Sequence, residues 1–220
     1  MAPATFEAVA DRNNALIRKP LKGAFLLGPF ETASIITTLV ATGGQIEVPA
    51  TYDSLGWLSE DGLTFSRDRE FSDVRGWGSG TFLRRDIRSD DHSVSFTALE
   101  TKRLTRELRE NRDLSAVEMT TTGEWKFDYL TRPDVKYWRG LAIGVDGSGA
   151  SLIYMAKFYH RLTVSEMDDE AWSDGDDPLQ YNVTMTAEPD PVAGVIGTEF
   201  LFGPGALVHA AAMGITVDTP

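Results

Sequence analysis

Leu63-Thr64-Phe65-Ser66-Arg67-Asp68-Arg69-Glu70-Phe71-Ser72-Asp73-Val74-Arg75-Gly76-Trp77 is the stretch on which the fold turns. Its even positions carry Thr64, Ser66, Asp68, Glu70 and Ser72, and its odd positions run from Leu63 and Phe65 through Arg67 and Arg69 to Phe71 and Trp77. A period of two belongs to a β-strand, whose successive side chains point to opposite faces. Neither face is apolar throughout, so burial alone does not account for this strand.

Working outward, the same alternation recurs in short segments separated by Gly, Asp, Asn and Pro. It predicts strands at Thr81–Arg88, Ser93–Thr97, Glu124–Leu130, Lys136–Val145, Leu152–His160, Leu162–Glu166 and Leu179–Ala187. Many short strands with turn signals between them read as a mostly β, antiparallel sandwich or barrel. Two core faces follow from the spacing: Trp125, Phe127 and Tyr129, and Tyr181, Val183 and Met185. Asp146-Gly147-Ser148-Gly149 lies between two strands, and Asp-Gly favours the positive φ of a tight turn. The segment resembles a phosphate loop only superficially, because a Walker loop needs Gly-Lys-Ser/Thr opening a helix, whereas Ala150 and Ser151 lead into a strand.

One short helix is expected over about residues 98–110. Thr97 and Glu100 have capping-box spacing, Thr101 is a rival cap, and Leu104 and Leu108 fall on one face for docking against a sheet. Lys102, Arg103, Arg106, Glu107 and Arg109 fill most of the rest, as on a solvated or inter-subunit face.

The two ends lack a sustained period. Residues 1–54 read as an N-terminal arm and irregular region, with apolar pieces at Ala24-Phe25-Leu26-Leu27 and Ile35-Ile36 punctuated by Pro20, Gly28, Pro29, Gly43 and Gly44. Residues 190–220 read as a C-terminal arm, with Phe200 and Phe202 ahead of Gly203-Pro204-Gly205; the sandwich itself spans 55–189. Apolar ends do not stay in water, so they are either edge strands of their own sandwich or arms buried on neighbouring copies.

The chain has 220 residues, a formal net charge of −12 and no cysteine. That length buries a core without staples. The acidity argues against phosphate-backbone binding, which needs facing Lys and Arg, although it suits a surface past which DNA must slide. The missing thiols exclude disulfide scaffolds and Cys-type zinc sites. Glu7 and Asp11 interrupt the start before any signal-like apolar run, and Gly23–Phe30 and Ala206–Ile215 are too short to span a bilayer, so no membrane partner is expected.

No catalytic constellation emerges. His92, His160 and His209 have no catalytic or metal-ligand spacing. Asp168, Asp169, Glu170, Asp174, Asp176 and Asp177 form the best calcium candidate, but their spacing is not that of an EF-hand and a solvated acidic loop pinned by a buried Trp172 fits it. Five Trp and six Tyr leave open a carbohydrate-stacking sandwich, an adhesin-like module or a capsid-associated protein, against routine strand packing. No enzyme, cofactor or metal site is expected.

Several blocks, in order, carry a resemblance. They are Leu55-Gly56-Trp57-Leu58-Ser59-Glu60-Asp61-Gly62-Leu63-Thr64-Phe65-Ser66-Arg67-Asp68-Arg69-Glu70, Ser72-Asp73-Val74-Arg75-Gly76-Trp77-Gly78, Ser95-Phe96-Thr97-Ala98-Leu99-Glu100-Thr101-Lys102-Arg103, Ala142-Ile143-Gly144-Val145-Asp146-Gly147, Ile153-Tyr154-Met155-Ala156-Lys157-Phe158 and Glu170-Ala171-Trp172-Ser173-Asp174-Gly175-Asp176. Together they resemble the major tail proteins, or tail tube subunits, of long-tailed siphophages that infect actinobacteria. The resemblance covers about Leu55 to Pro189 and implies a structural virion protein, made in the host cytoplasm and placed in the phage tail. It further implies hexameric rings stacked into a tube, with tape measure and tail terminator proteins as partners and genomic DNA passing through the lumen without specific binding. Under it, Ser66, Asp68, Glu70 and Ser72 are expected to face the lumen and Arg67 and Arg69 to pair across the subunit interface. Phe25, Leu26, Leu27 and Phe30, with Phe200 and Phe202, are expected to bury against adjacent rings.

Overall fold

A computed structural model describes residues 5–41, 45–175 and 178–218; Gly43, Gly44, Asp176 and Asp177 lie outside them. Eight antiparallel strands form one sheet: β1 (Lys22–Pro29), β2 (Asp53–Ser54), β3 (Leu58–Arg75), β4 (Phe82–Ala98), β5 (Tyr137–Asp146), β6 (Ile153–Met167), β7 (Tyr181–Ala187) and β8 (Gly197–Phe202). Their order is β2-β1-β5-β6-β7-β4-β3, and β8 also pairs with β6. The helices are α1 (Phe6–Ala10), α2 (Arg103–Glu110) and α3 (Pro204–His209). The expected mostly β, antiparallel class holds.

The sheet folds over on itself because β6 serves two layers. Trp138 lies opposite Leu162 and Gly140 opposite Tyr159, so His160 and Arg161 together oppose the single residue Arg139. This is a β-bulge, which bends its strand and raises the local twist. On the N-terminal side of the bulge Tyr154–Tyr159 pair with β8, and on the C-terminal side Leu162–Met167 pair with β7. The half containing β1 and β5 thereby packs over the half containing β7, β4 and β3, and the Phe25 ring meets Phe96 edge-on with centroids 5.1 Å apart. Strands that change layer through a bulge are how such corners are made.

Between the halves lies one core, with Phe25, Leu27, Val94, Phe96, Trp138, Leu162, Tyr181, Val183 and Met185, closed at one side by Leu104 and Leu108 of α2. A second core covers the outer face of β1 and β5: Leu141, Ile143 and Phe158 meet Ala33, Ile36, Leu39 and Tyr52 from the segment between β1 and β2, and Phe202 from β8. The close approach needs Gly140, where a Cβ would lie 2.4 Å from Leu162 Cδ1 and 3.3 Å from the Phe25 ring. Gly147, at φ +78°, makes the expected turn out of β5.

Several expectations are corrected. Lys22–Pro29 and Gly197–Phe202, expected within the two arms, belong to the sheet, β1 as an interior strand and β8 bonded to β6. Thr81–Arg88 and Ser93–Thr97 are one strand, as are Leu152–His160 and Leu162–Glu166. Glu124–Leu130 is no strand, and Tyr129 is exposed rather than core. The helix begins at Arg103, because Thr97 belongs to β4 and Thr101 Oγ1 is spent on Tyr181 OH, 3.2 Å away. Glu100 accepts instead from the Trp57 backbone N–H at 2.7 Å.

If β1 is core rather than arm, Phe25→Ala destabilises the isolated chain by about 3–5 kcal/mol, as for other buried phenylalanines. Urea unfolding of dilute, unassembled protein checks this; a loss seen only after assembly would restore the arm.

Candidate assembly surface

The register shows which side chains share a face. Thr64 lies opposite Ser95, Ser66 opposite Ser93 and Asp68 opposite Asp91 across β3 and β4. Ser95 then faces Thr184, Ser93 faces Thr186 and Thr97 faces Asn182 across β4 and β7. Thr186 lies opposite Thr163 of β6. The layer formed by β3, β4, β7 and the end of β6 therefore has one face that is apolar where it meets the core and carries Arg67, Arg69, Asp90 and His92 beyond it, and one face of hydroxyls, amides and carboxylates.

Small hydroxyls on that face are tied to one another. Thr184 Oγ1 donates to Ser95 Oγ at 3.2 Å, Thr97 Oγ1 to Asn182 Oδ1 at 2.5 Å and Asn182 Nδ2 to Asp168 Oδ2 at 2.9 Å. Such pairing satisfies the polar atoms laterally and leaves a short-chained surface. Asp68 and Asp91, directly opposed, put two like charges on it. Ser66, Asp68, Glu70 and Ser72 are all exposed; the first three project with this face, and Ser72 follows on β3 beyond a register shift in the hairpin.

β7 stops at Ala187, opposite His92, so β3 and β4 continue past the sheet as a two-stranded hairpin. Its odd-side face continues the core face into solvent. Phe71 lies opposite Ile87, and Phe71, Phe82 and Ile87 are each about half exposed at 48%, 46% and 56%. The Arg85 guanidinium sits 4.3 Å from the Phe82 ring centroid and 5.2 Å from that of Phe71, and its Nε donates to Asp73 at 2.7 Å. At the tip Trp77 is fully exposed. The Asp73–Arg85 pair lies between Phe71 and Phe82, with the guanidinium spanning the two rings.

Within the single chain Arg67 and Arg69 pair with Asp90. Arg67 Nε and Nη2 clasp Asp90 at 2.6 and 2.5 Å, and Arg69 Nη2 joins at 3.0 Å. The hydrogen bond from Arg67, then that from Arg69, holds the Asp90 carboxyl far below the usual carboxylate range. The proposed arm residues are also spent within the chain. Phe25 and Leu27 are in the inner core, Leu26 and Phe200 pack on the outer core, and Phe202 stacks on Tyr154 at 5.0 Å. Phe30 lies beneath the Arg139 guanidinium at 4.5 Å.

The bulge in β6 is held by a buried ion pair. Arg139 Nη1 donates to Asp190 Oδ2 at 2.6 Å and to the His160 carbonyl at 2.8 Å, and its Nε donates to the Ala33 carbonyl at 3.1 Å. Asp190 is fully buried and also accepts from the backbone N–H groups of Val192 and Ala193. Burial raises its pKa, but Arg139 and the two N–H groups outweigh that and hold it below the ordinary range. His160 is buried, so its imidazole is pushed down, and Thr198 Oγ1 lies 3.1 Å from Nε2.

Glu170 is gripped by Arg106 at 2.7 Å and Arg109 at 3.2 Å, and Trp172 is 84% exposed rather than buried. Among the described residues no group of three acidic or histidine side chains is placed to hold a metal, and no helix is long and apolar enough to cross a membrane. His92 stands 3.8 Å from Asp90, and His209 ends α3.

A scan against protein-family models finds no match, and neither does a search of curated proteins. Among solved structures the chain is similar to one in a cryo-EM structure of the anti-feeding prophage baseplate, six-fold symmetrised. The TM-score is 0.43 and the identity 10%, over 83% of this chain and 93% of that one.

Removing the cation from the bulge leaves Asp190 buried without its partner. Arg139→Met therefore costs about 3–5 kcal/mol, the usual result of breaking a buried pair from one side. In the wild type the depressed Asp190 contributes stability that is present above about pH 4 and lost as pH falls through its folded pKa. Denaturant titrations between neutral and acid pH check both: the variant's deficit should shrink toward low pH, where the lone carboxylate is protonated.

Proposed function

We propose that this protein is a non-enzymatic structural subunit of a bacteriophage tail tube, assembling into stacked six-membered rings whose lumen carries the genome. The observation that carries the reading is the two-faced layer of β3, β4, β7 and β6. One face is committed to the core and the other is a continuous polar surface, and the hairpin extends both beyond the subunit. The resemblance of Leu55–Pro189 to siphophage tail tube subunits supports the same reading.

The physical logic is that of a conduit. A lumen must admit a polyanion without holding it, so it needs few cations and short side chains that bond to one another. Thr64, Ser66, Ser93, Ser95, Thr184 and Thr186 supply the short side chains, with Thr184 bonded to Ser95, and Asp68, Asp91 and Glu70 repel phosphate. Closing a ring joins the free edge of β3 to the next copy and removes an exposed strand edge. The apolar hairpin strip around Phe71, Phe82 and Ile87 then rests on a neighbour. Tape measure and tail terminator proteins are the expected partners within and at the end of such a tube.

Charge reversal tests the lumen. Asp68→Lys with Glu70→Lys should leave tubes of normal width by negative-stain microscopy while lowering genome delivery about tenfold or more, because cations now face the passing phosphates. Unaltered delivery by normal tubes would remove these residues from the lumen, and loss of assembly would make them packing positions.

A further inference from the structure

Glu124–Leu130 has the alternation of a strand but belongs to no sheet. Trp125 and Phe127 meet edge-on with centroids 5.0 Å apart, and Phe127 meets Tyr129 at 6.3 Å. Contacts between residues two apart put the three rings on one side, as in a strand. Among the described residues no backbone group from Trp125 to Val135 is bonded to another backbone group. The segment is instead fastened by side chains: Trp125 Nε1 donates to the Val117 carbonyl at 2.9 Å and Arg112 Nη1 to the Asp128 carbonyl at 2.8 Å. Lys126 alternates with the rings, opposite in side.

A chain with a free backbone and an aromatic side needs a sheet edge with a complementary face. β3 offers one, since its outer edge is unpaired along its whole length. In the hairpin its odd side carries Arg67, Arg69 and the half-exposed Phe71, which suit aromatic rings through cation–π and apolar contact. We propose that Glu124–Leu130 of a second copy of this chain adds as a further strand to the outer edge of β3 over Ser66–Ser72. The proposal rests on the self-assembly reading only in that the partner is another copy; it does not depend on the assembly being a tube.

Proline distinguishes strand addition from simple side-chain contact, because it deletes a ladder donor yet sits without penalty in an extended unpaired segment. Lys126→Pro with Phe127→Pro removes donors pointing to either side, so it should lower the monomer's melting temperature no more than Lys126→Ala with Phe127→Ala does, and abolish self-assembly measured by light scattering. The matched Lys126→Ala, Phe127→Ala variant keeps the donors and should retain part of it. Because the chain has no cysteine, Lys126→Cys protein mixed with Asp68→Cys or Glu70→Cys protein should give a mixed disulfide dimer on oxidation, which requires Cα atoms within about 7 Å. Normal assembly of the proline variant, or assembled material that yields no mixed dimer, overturns the proposal and leaves the tube reading intact. Mixed dimers in particles that are not tubes would keep the strand pairing and reject the tube.

Discussion

The structure depends on one guanidinium. Arg139 sits opposite the two residues of the β6 bulge and binds the His160 carbonyl, the Ala33 carbonyl and the buried Asp190 carboxylate at once. Through it, the strand that changes layers, the outer-core segment after β1 and the turn that leads from β7 to β8 meet at a single charge. A buried ion pair contributes little net stability compared with an apolar substitute, but a cation with several fixed acceptors selects one geometry among alternatives. Here that geometry is the corner that lets one sheet become two packed halves.

How legible the fold was depended on how many faces a strand buries. Val183 and Met185, with one face in the core, alternate clearly and were placed correctly. β1 is different: Phe25 and Leu27 enter the inner core while Leu26 enters the outer one, so Ala24-Phe25-Leu26-Leu27 is an unbroken apolar run. Such a run has no period, and it reads like a loose arm for the same reason that it is deeply buried. Two strands were split where polar residues interrupt them. At His160-Arg161 the interruption is the bulge, and at Asp90-Asp91 it is the place where β4 leaves the sheet and Asp90 turns to Arg67 and Arg69.

The surface followed a similar division. Period two was enough to put Ser66, Asp68 and Glu70 on one side of β3. Register was needed to add Ser93, Ser95, Thr184 and Thr186, which come from strands about 30 and 120 residues away and whose relation to β3 no local pattern encodes. The protrusion of the hairpin was equally hidden, because it is set by the length of β7 and not by anything in β3 or β4. Trp125, Phe127 and Tyr129 show the converse: the local pattern is that of a strand, and within one chain the segment joins no sheet.

The hairpin that outruns its sheet also bears on the timing of assembly. A ribbon of two strands without a third is marginal in water and twists more freely than a sheet interior. Here two register shifts, at Glu70/Phe71 and Val74/Arg75, loosen it further. For a subunit that joins others through this ribbon, each addition must include the entropy of fixing its shape. Two free subunits meet with both ribbons unfixed, whereas an existing end presents a surface already in shape. In the proposed assembly, growth from a seed is therefore favoured over spontaneous initiation, and free copies can accumulate without polymerising in the wrong place.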